Sequence, residues 1–533
     1  MENLGVELVA RNGTAVRQAL EMGEWLHLTT SSEEITDEFL LFAIESGLLT
    51  EWAQAFPDPR QSPEVSVEVI WAASLAARFA GLYSMRKTGY VLQSARVLGA
   101  LGYSVAVLEA DHGMTRRGTS DDQALSGDVI RKLLEKLEAE VSEEEVARQK
   151  AELAELAAGR PQIKVRERAS RRAVKQALDE VEAAARSRAV AEQLVEWYNE
   201  RVGLRMLEYA RLGKGRRIHL LDATRIEVRL EAGNYECDGI VKNDDGSYAR
   251  GYKVGTLRTL TDTAGLLVQM KMGPIQQHDL ALCRPLLRES AALREGDLLI
   301  EDRGFVDGAE ITHLKRVRKV DVIVPLRSNM DSTKEAICLA EMAGKWDPHP
   351  SRAEQEIALV RGVEHVWDEC DVPLNACVIR FFNRKKGAID YIVLVTTDLS
   401  LSAAWIVRHY EERPEVEQDY QQLKSGGWKL KQLASTRYSQ IVFYVLSVVC
   451  AYSLYHLFAD TQAGARFADK TRQAIALDQL RTQRTHIIVY AGGYFEIFET
   501  LSFLHLVLQL PPAIQDKMRV WLGDHLHLEV QRE

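Results

Sequence analysis

The chain has 533 residues, 46% hydrophobic and 27% charged. That is too long for one compact core at about 100–200 residues per domain, and too apolar for global disorder or a collagen-like chain. The net charge of −10 is uneven. The first 60 residues hold 11 acids and 3 bases, while residues 164–175 and 201–217 each hold six bases against one acid, and 424–437 hold four bases and no acid. An acidic average therefore does not exclude a polyanionic partner, because local basic patches neutralise phosphates.

In chain order, residues 1–125 read as short amphipathic helices, the clearest over Val67–Met85, where Val67, Ile70, Trp71, Leu75, Phe79 and Leu82 recur at helical spacing. The opening MENLGVELVARNG has neither the basic nor the apolar region of a signal peptide. Ser126-Gly127-Asp128 predicts a helix start with Ser126 as N-cap, leading into charged helices over 126–214 that break near Gly159-Arg160-Pro161. Strand-type runs follow at Ile218–Val228, Arg250–Leu257, Leu266–Met270, Leu298–Ile300 and Asp321–Leu326, with helices near His278–Leu293 and Gly308–Val317. Three strands in hairpin succession, then alternating helix and strand, predict an α/β class with a mixed sheet over 215–327. A β-rich insertion is expected over 328–398, with strands at Glu356–Val366, Ala376–Phe382 and Asp390–Thr396. The sheet-bearing core resumes over 399–460, with helices at Ser402–Tyr410 and Pro414–Lys424, and 461–533 are expected to be helical. Ile441–Phe458 is uncharged but short of the roughly 20 residues a bilayer requires, and it carries Ser447, Ser453, three tyrosines and His456. It reads as a helix buried in protein. Six cysteines (Cys237, Cys283, Cys338, Cys370, Cys377, Cys450) form no CxxC pair, which fits a reducing cytoplasm better than a disulfide framework or thiolate zinc site.

Three acids stand out by context. Asp222 lies inside the apolar strand RRIHLLDATRIEV, Asp302 ends the strand GDLLIEDRGF, and Glu417 sits on the helix PEVEQDYQQLK, seven residues before Lys424. A carboxylate flanked by apolar strand residues is costly to bury unless it meets a cation. Three carboxylates converging from separate elements could hold a pair of Mg²⁺ ions, since magnesium prefers oxygen ligands and keeps waters that phosphate can replace. Two ions about 3.5–4 Å apart serve in-line phosphoryl displacement.

With these residues in view, the chain resembles the insertion-sequence transposases of the DDE type, specifically the insertion-sequence-four group with a YREK signature. Tyr410, Arg413, Glu417 and Lys424 match that signature at every spacing; Asp302-Arg303-Gly304-Phe305 looks like its second-aspartate motif, and Asp222-Ala223-Thr224 like its first. The resemblance covers about 215–460 and implies an RNase H-like core interrupted by a β-rich insertion. It implies a triad of Asp222, Asp302 and Glu417 holding two Mg²⁺ ions per site (Mn²⁺ as substitute), and phosphate contacts from Tyr410, Arg413 and Lys424. Trp428, Lys429 and Lys431, just beyond the signature, join the expected DNA contacts, although Trp428 reads somewhat better as core than as a base-stacking residue. The activity implied is cleavage of element ends and their transfer to target DNA, typically through a hairpin. Its partners would be double-stranded DNA, as terminal inverted repeats and target, and a second copy in the synaptic complex, acting at the bacterial nucleoid without a membrane. The amino-terminal region would supply further DNA binding. One departure is Pro414, where related sequences often carry tryptophan; a flipped base would then fall to Trp405 or Trp428.

Other residues near the motifs have plainer readings. His219 alternates away from Asp222 and is expected to pack; His278-Asp279 reads as an ordinary helix start. Glu227, Glu301 and Asp307 lie near the triad in sequence, and Arg303 suits a phosphate or a carboxylate equally. Lys253, Arg258 and Lys271 are expected to be surface or DNA-groove residues. Two other functions remain: a transposase-derived DNA-binding protein without catalysis, and a metal-free carboxylate-pair glycosidase using Asp302 and Glu417, for which 7% aromatics is a poor fit.

Overall fold

The computed structural model describes residues 10–25, 27–32, 35–63, 65–85, 88, 95–102, 128–158, 171–213, 215–230, 235–262, 265–364, 367–425, 427–461, 464 and 485–526. The break at 159–161 and residues 164–170 of the basic patch at 164–175 lie outside them. The strands run in chain order as β1 (Ala10–Arg11), β2 (His27–Ser32), β3 (Ile218–Val228), β4 (Gly239–Lys242), β5 (Tyr248–Leu260), β6 (Gly265–Pro274), β7 (Leu298–Glu301) and β8 (Asp321–Pro325). They continue as β9 (Asp347–Pro348), β10 (Gln355–Arg361), β11 (Asn375–Asn383), β12 (Ala388–Thr396), β13 (Thr485–Ala491) and β14 (Tyr494–Glu499).

The chain divides into two compact units, one of residues 39–472 and one assembled from both ends, 1–38 with 473–533. The terminal unit is a four-stranded sheet in the order β1-β14-β13-β2. Its core joins Val16 and Leu20 of the helix Gly13–Met22 to Ile487, Val489 and Phe498 of the sheet and Phe503, Val507, Ile514 and Met518 of the last two helices. This corrects the expectation of helix alone near the start, and it adds the strands β13 and β14 to the stretch 461–533 expected to be mainly helical. A Gly492-Gly493 turn with both φ positive makes the β13–β14 hairpin.

In the central unit, β3, β5 and β6 are antiparallel neighbours, and β7 and β8 continue from β3 in parallel. β4 pairs with the first residues of β5 and β6 with the rest. Beyond β8 the sheet runs on through β12, β11, β10 and β9, all antiparallel. The class is therefore mixed α/β, and the β-rich insertion extends the central sheet across the β8–β12 pairing. A helix at Asp331–Ala343, ended by Gly344 at φ +59°, begins the insertion, ahead of the strands expected there.

Local chemistry moves several boundaries. The helix expected to reach Met85 stops at Phe79, capped by Ala80 and followed by Gly81 at φ +73°. The helix expected to follow a Ser126 cap runs Val129–Glu140; Ser126 lies outside the described residues, and Asp128 directly before the helix makes no side-chain cap bond.

The apolar helix Tyr438–Ala459 is long and apolar enough to cross a membrane, yet nearly every side chain on it is buried inside the central unit. Trp71 meets Phe443 at 4.8 Å and Phe79 meets Tyr455 at 5.9 Å between ring centres. Its hydroxyls are spent on neighbours: Ser453 Oγ accepts from the Leu267 amide at 3.1 Å, Tyr444 donates to the Lys429 carbonyl at 2.6 Å, and Tyr452 donates to Asp419 at 2.6 Å. The polar groups that spoil a membrane span are thus the ones that bolt this helix to the sheet and to the signature segment.

Candidate active site

Asp222 and Asp302 meet because of strand register. β3 and β7 pair in parallel with Leu221 opposite Glu301, so the next position along each chain places Asp222 beside Asp302 on one face, where β7 ends. The carboxyl end of parallel strands is where α/β sheets present ligand-binding residues. The third acid arrives on the helix Pro414–Ser425. Its buried residues Val416, Asp419, Tyr420 and Leu423 follow helical spacing and face inward, leaving Glu417 on the open side.

Two polar anchors fix that helix. The Arg258 guanidinium on β5 meets Asp419 at 2.5 Å and Glu415 at 2.9 Å, with Arg258 and Asp419 both nearly fully buried. Tyr420 donates to the Asp222 backbone carbonyl at 2.8 Å and lies 2.6 Å from the Thr256 hydroxyl. Glu417 therefore stands between two residues, Glu415 and Asp419, that are held by one arginine.

All three acids converge on Arg413. Its Nη2 lies 3.7 Å from Asp222 Oδ2 and 3.5 Å from Asp302 Oδ1, and its Nη1 lies 2.9 Å from Glu417 Oε1. Arg413 occupies the short turn between the helix Ala403–Tyr410 and Pro414, as the proline predicts. Burial works against its charge, but Asp302, Asp222, Tyr410 and Glu417 outweigh it and raise its pKa. Asp222 is pushed up to about 6, chiefly by burial and also by Asp302 and Glu417, against the Ala223 amide that donates to it at 2.7 Å and the Arg413 charge. Among the described residues no three acids, histidines or cysteines are grouped as a ready metal cage; these acids are gathered around a guanidinium instead.

The remaining predicted residues separate. Tyr410, at the end of its helix, has its hydroxyl pKa raised by burial, with Asp302 and Glu417 adding to it and Arg413 and Arg303 opposing. Lys424 donates to Thr224, two residues from Asp222, and its pKa is lowered by burial first and by Lys431 second. Lys431 is exposed and Lys429 half-buried with φ +62°. Trp428 is corrected: it is 1% exposed, with its ring against Phe79, Tyr452 and Tyr455, and cannot stack on a base without unpacking the core. Trp405 is half-buried, against His409 and under the Arg216 guanidinium.

Lys253 and Arg258 are corrected too, because both are buried in ion pairs, Lys253 with Asp279 at 2.5 Å. His219 packs as expected, between Thr259 at 2.8 Å and Asp297 at 3.0 Å. Glu301 is fully buried with its carboxyl pKa pushed up to about 8, by burial first and then by Glu310 and Asp307. Sequence reasoning missed the anchors Arg258, Asp419, Tyr420 and Tyr452; the spacing of Val416, Tyr420 and Leu423 was the available signal for the buried face.

No curated protein matches the chain. Residues 213–454, somewhat less than half of the sequence, match the family model described as "Transposase DDE domain". That span, which holds Asp222, Asp302 and Glu417, is similar to a transposase DDE domain, and this supports a transposase function.

Proposed function

We propose that this protein is a cut-and-paste DNA transposase of the YREK-signature group, which cleaves element ends and joins them to target DNA by two-metal-ion phosphoryl transfer. The observation that carries the reading is the meeting of Asp222, Asp302 and Glu417 around one guanidinium. The central strand order, antiparallel β6-β5-β3 followed by parallel β7 and β8, supports an RNase H-like core with the acids at its strand ends.

The residues fit divalent metal ions. Three carboxylates are hard oxygen donors, and the single arginine among them leaves two of their three negative charges for a cation to balance. Asp222, Asp302 and Glu417 would hold two Mg²⁺ ions, with Mn²⁺ as substitute. When bound, such a pair activates the attacking oxygen and stabilises the leaving one. The chain's own side chains do the rest. Tyr410 and Arg413 stand at the acids and would grip the phosphate at the cut. Lys424 and Lys431, which repel each other, gain from a phosphate placed between them. Lys429 and Lys431 continue the basic edge along the flanking strand. With Pro414 after Arg413 and Trp428 buried, a hairpin step would depend on Trp405 to receive a flipped base.

The test is cleavage of duplexes bearing the inverted repeats that flank the gene, with Mg²⁺ or Mn²⁺. Asp222→Asn, Asp302→Asn and Glu417→Gln should each abolish nicking while leaving DNA retention in gel shifts largely intact. Wild-type cutting by all three variants overturns the assignment, and binding without cutting by the unmodified protein identifies a transposase-derived DNA-binding protein.

A further inference from the structure

Arg413 does more in this arrangement than wait for a phosphate. Its two terminal nitrogens contact all three proposed metal-binding carboxylates, and its side chain is only 14% exposed. The planar fork of a guanidinium suits this, offering five donors where an ammonium is a point charge. We propose that Arg413 is an internal stand-in for the metal ions. In the DNA-free protein it holds the carboxylate oxygens that a divalent cation needs, and the site loads metal tightly only when Arg413 has transferred to another anion. The inference rests on the two-metal reading above and adds a competition to it.

Three features carry it. The contacts are to the acids' own oxygens, Oδ2 of Asp222, Oδ1 of Asp302 and Oε1 of Glu417, so arginine and metal want the same atoms. A divalent cation beside a guanidinium at such distances is strongly repelled, which screening by salt relieves little in a partly buried site. The neighbouring acids of the turn are engaged elsewhere. Glu411 accepts from Ser351 at 2.6 Å and pairs with Arg352 at 3.1 Å, and Glu412 pairs with His409 at 3.1 Å. Arg413 is thereby left to the triad. It also sits in a turn between two helices, where a change of backbone torsion re-aims a side chain without unwinding a helix. A DNA phosphate, presented beside Lys424, is the anion to which it would move.

The competition is read by titrating the full-length, DNA-free protein with Mn²⁺ in a calorimeter, with circular dichroism melting to confirm that each variant is folded. Arg413→Gln should bind Mn²⁺ at least about tenfold more tightly than wild type. Arg413→Lys keeps the charge but cannot bridge three carboxylates, and should fall between. Adding Asp222→Asn to each background should weaken binding. Equal or weaker Mn²⁺ affinity in Arg413→Gln, or in Arg413→Lys should the glutamine variant not fold, overturns the stand-in role and leaves the two-metal reading intact. Absence of any binding that Asp222→Asn weakens, in every background, removes the two-metal reading and this proposal together.

Discussion

Asp222 is held in a state that folding alone would not choose. Its carboxyl has an ordinary value of 3.8 and rises to about 6 in the fold, chiefly through burial. A folded-state value above the unfolded one means the folded chain binds the extra proton between those two pH values, so stability falls as pH rises through them and stays lower above about 6. Asp222→Asn removes the ionisation while keeping the shape, and should stabilise the metal-free protein at pH 7 by about 2–3 kcal/mol. The gain should shrink to a small remainder near pH 4 and vanish only below the unfolded value of 3.8, where the carboxyl is protonated in the folded and the unfolded chain alike. Parallel melting curves at pH 4 and pH 7 check this, and a gain of equal size at both would show that Asp222 is not the titrating group. The identity of this aspartate was legible because an acid between Leu220-Leu221 and Ala223 breaks an apolar strand. Its arginine counter-charge was not legible, because Arg413 is distant in sequence and strand periodicity says nothing of what lies above a sheet face.

The helix Pro414–Ser425 shows what an element must do to deliver one side chain. Sequence located it closely, since proline fits the first turn and disfavours helix before it, and its apolar residues repeat at helical spacing. What fixes its position over the sheet was not legible, because Arg258 reads alone as a surface or DNA-groove residue and its partner Asp419 is 161 residues away. Together they form a buried pair at 2.5 Å, with Tyr452 donating to the other Asp419 oxygen. Removing one member leaves an uncompensated buried charge, which typically costs about 3–5 kcal/mol. Arg258→Met should therefore lower the stability of the central unit by about that amount, measured as a shift in the urea midpoint at constant slope. Adding Asp419→Asn should recover part of the loss, because it deletes the orphaned charge. A double variant as unstable as the sum of the single ones would mean that the two residues act independently.

At the scale of the molecule, the central sheet was legible and the terminal unit was not. β3, β5, β6, β7 and β8 coincide with strand-type runs in the sequence, whereas β2 (HLTTSS) is polar and pairs with β13 from more than 450 residues away, at the other end of the chain. Local pattern cannot announce a sheet whose strands come from both ends. The two units have separate hydrophobic cores, and every proposed site residue lies in the central one. Val489, fully buried at the middle of β13, is a selective probe. Val489→Asp places an unpaired carboxylate in the terminal core, at a cost of several kcal/mol, enough to unfold a unit of this size. Hydrogen exchange should then accelerate in β1, β2, β13 and β14 while β3, β5 and β7 stay protected. Mn²⁺ affinity in the same preparation should stay within about twofold of wild type, because the carboxylates, Arg413 and the Arg258–Asp419 anchor are packed on a core the substitution does not touch. Loss of protection across β3 and β7 together with the terminal strands would show instead that the two units unfold as one.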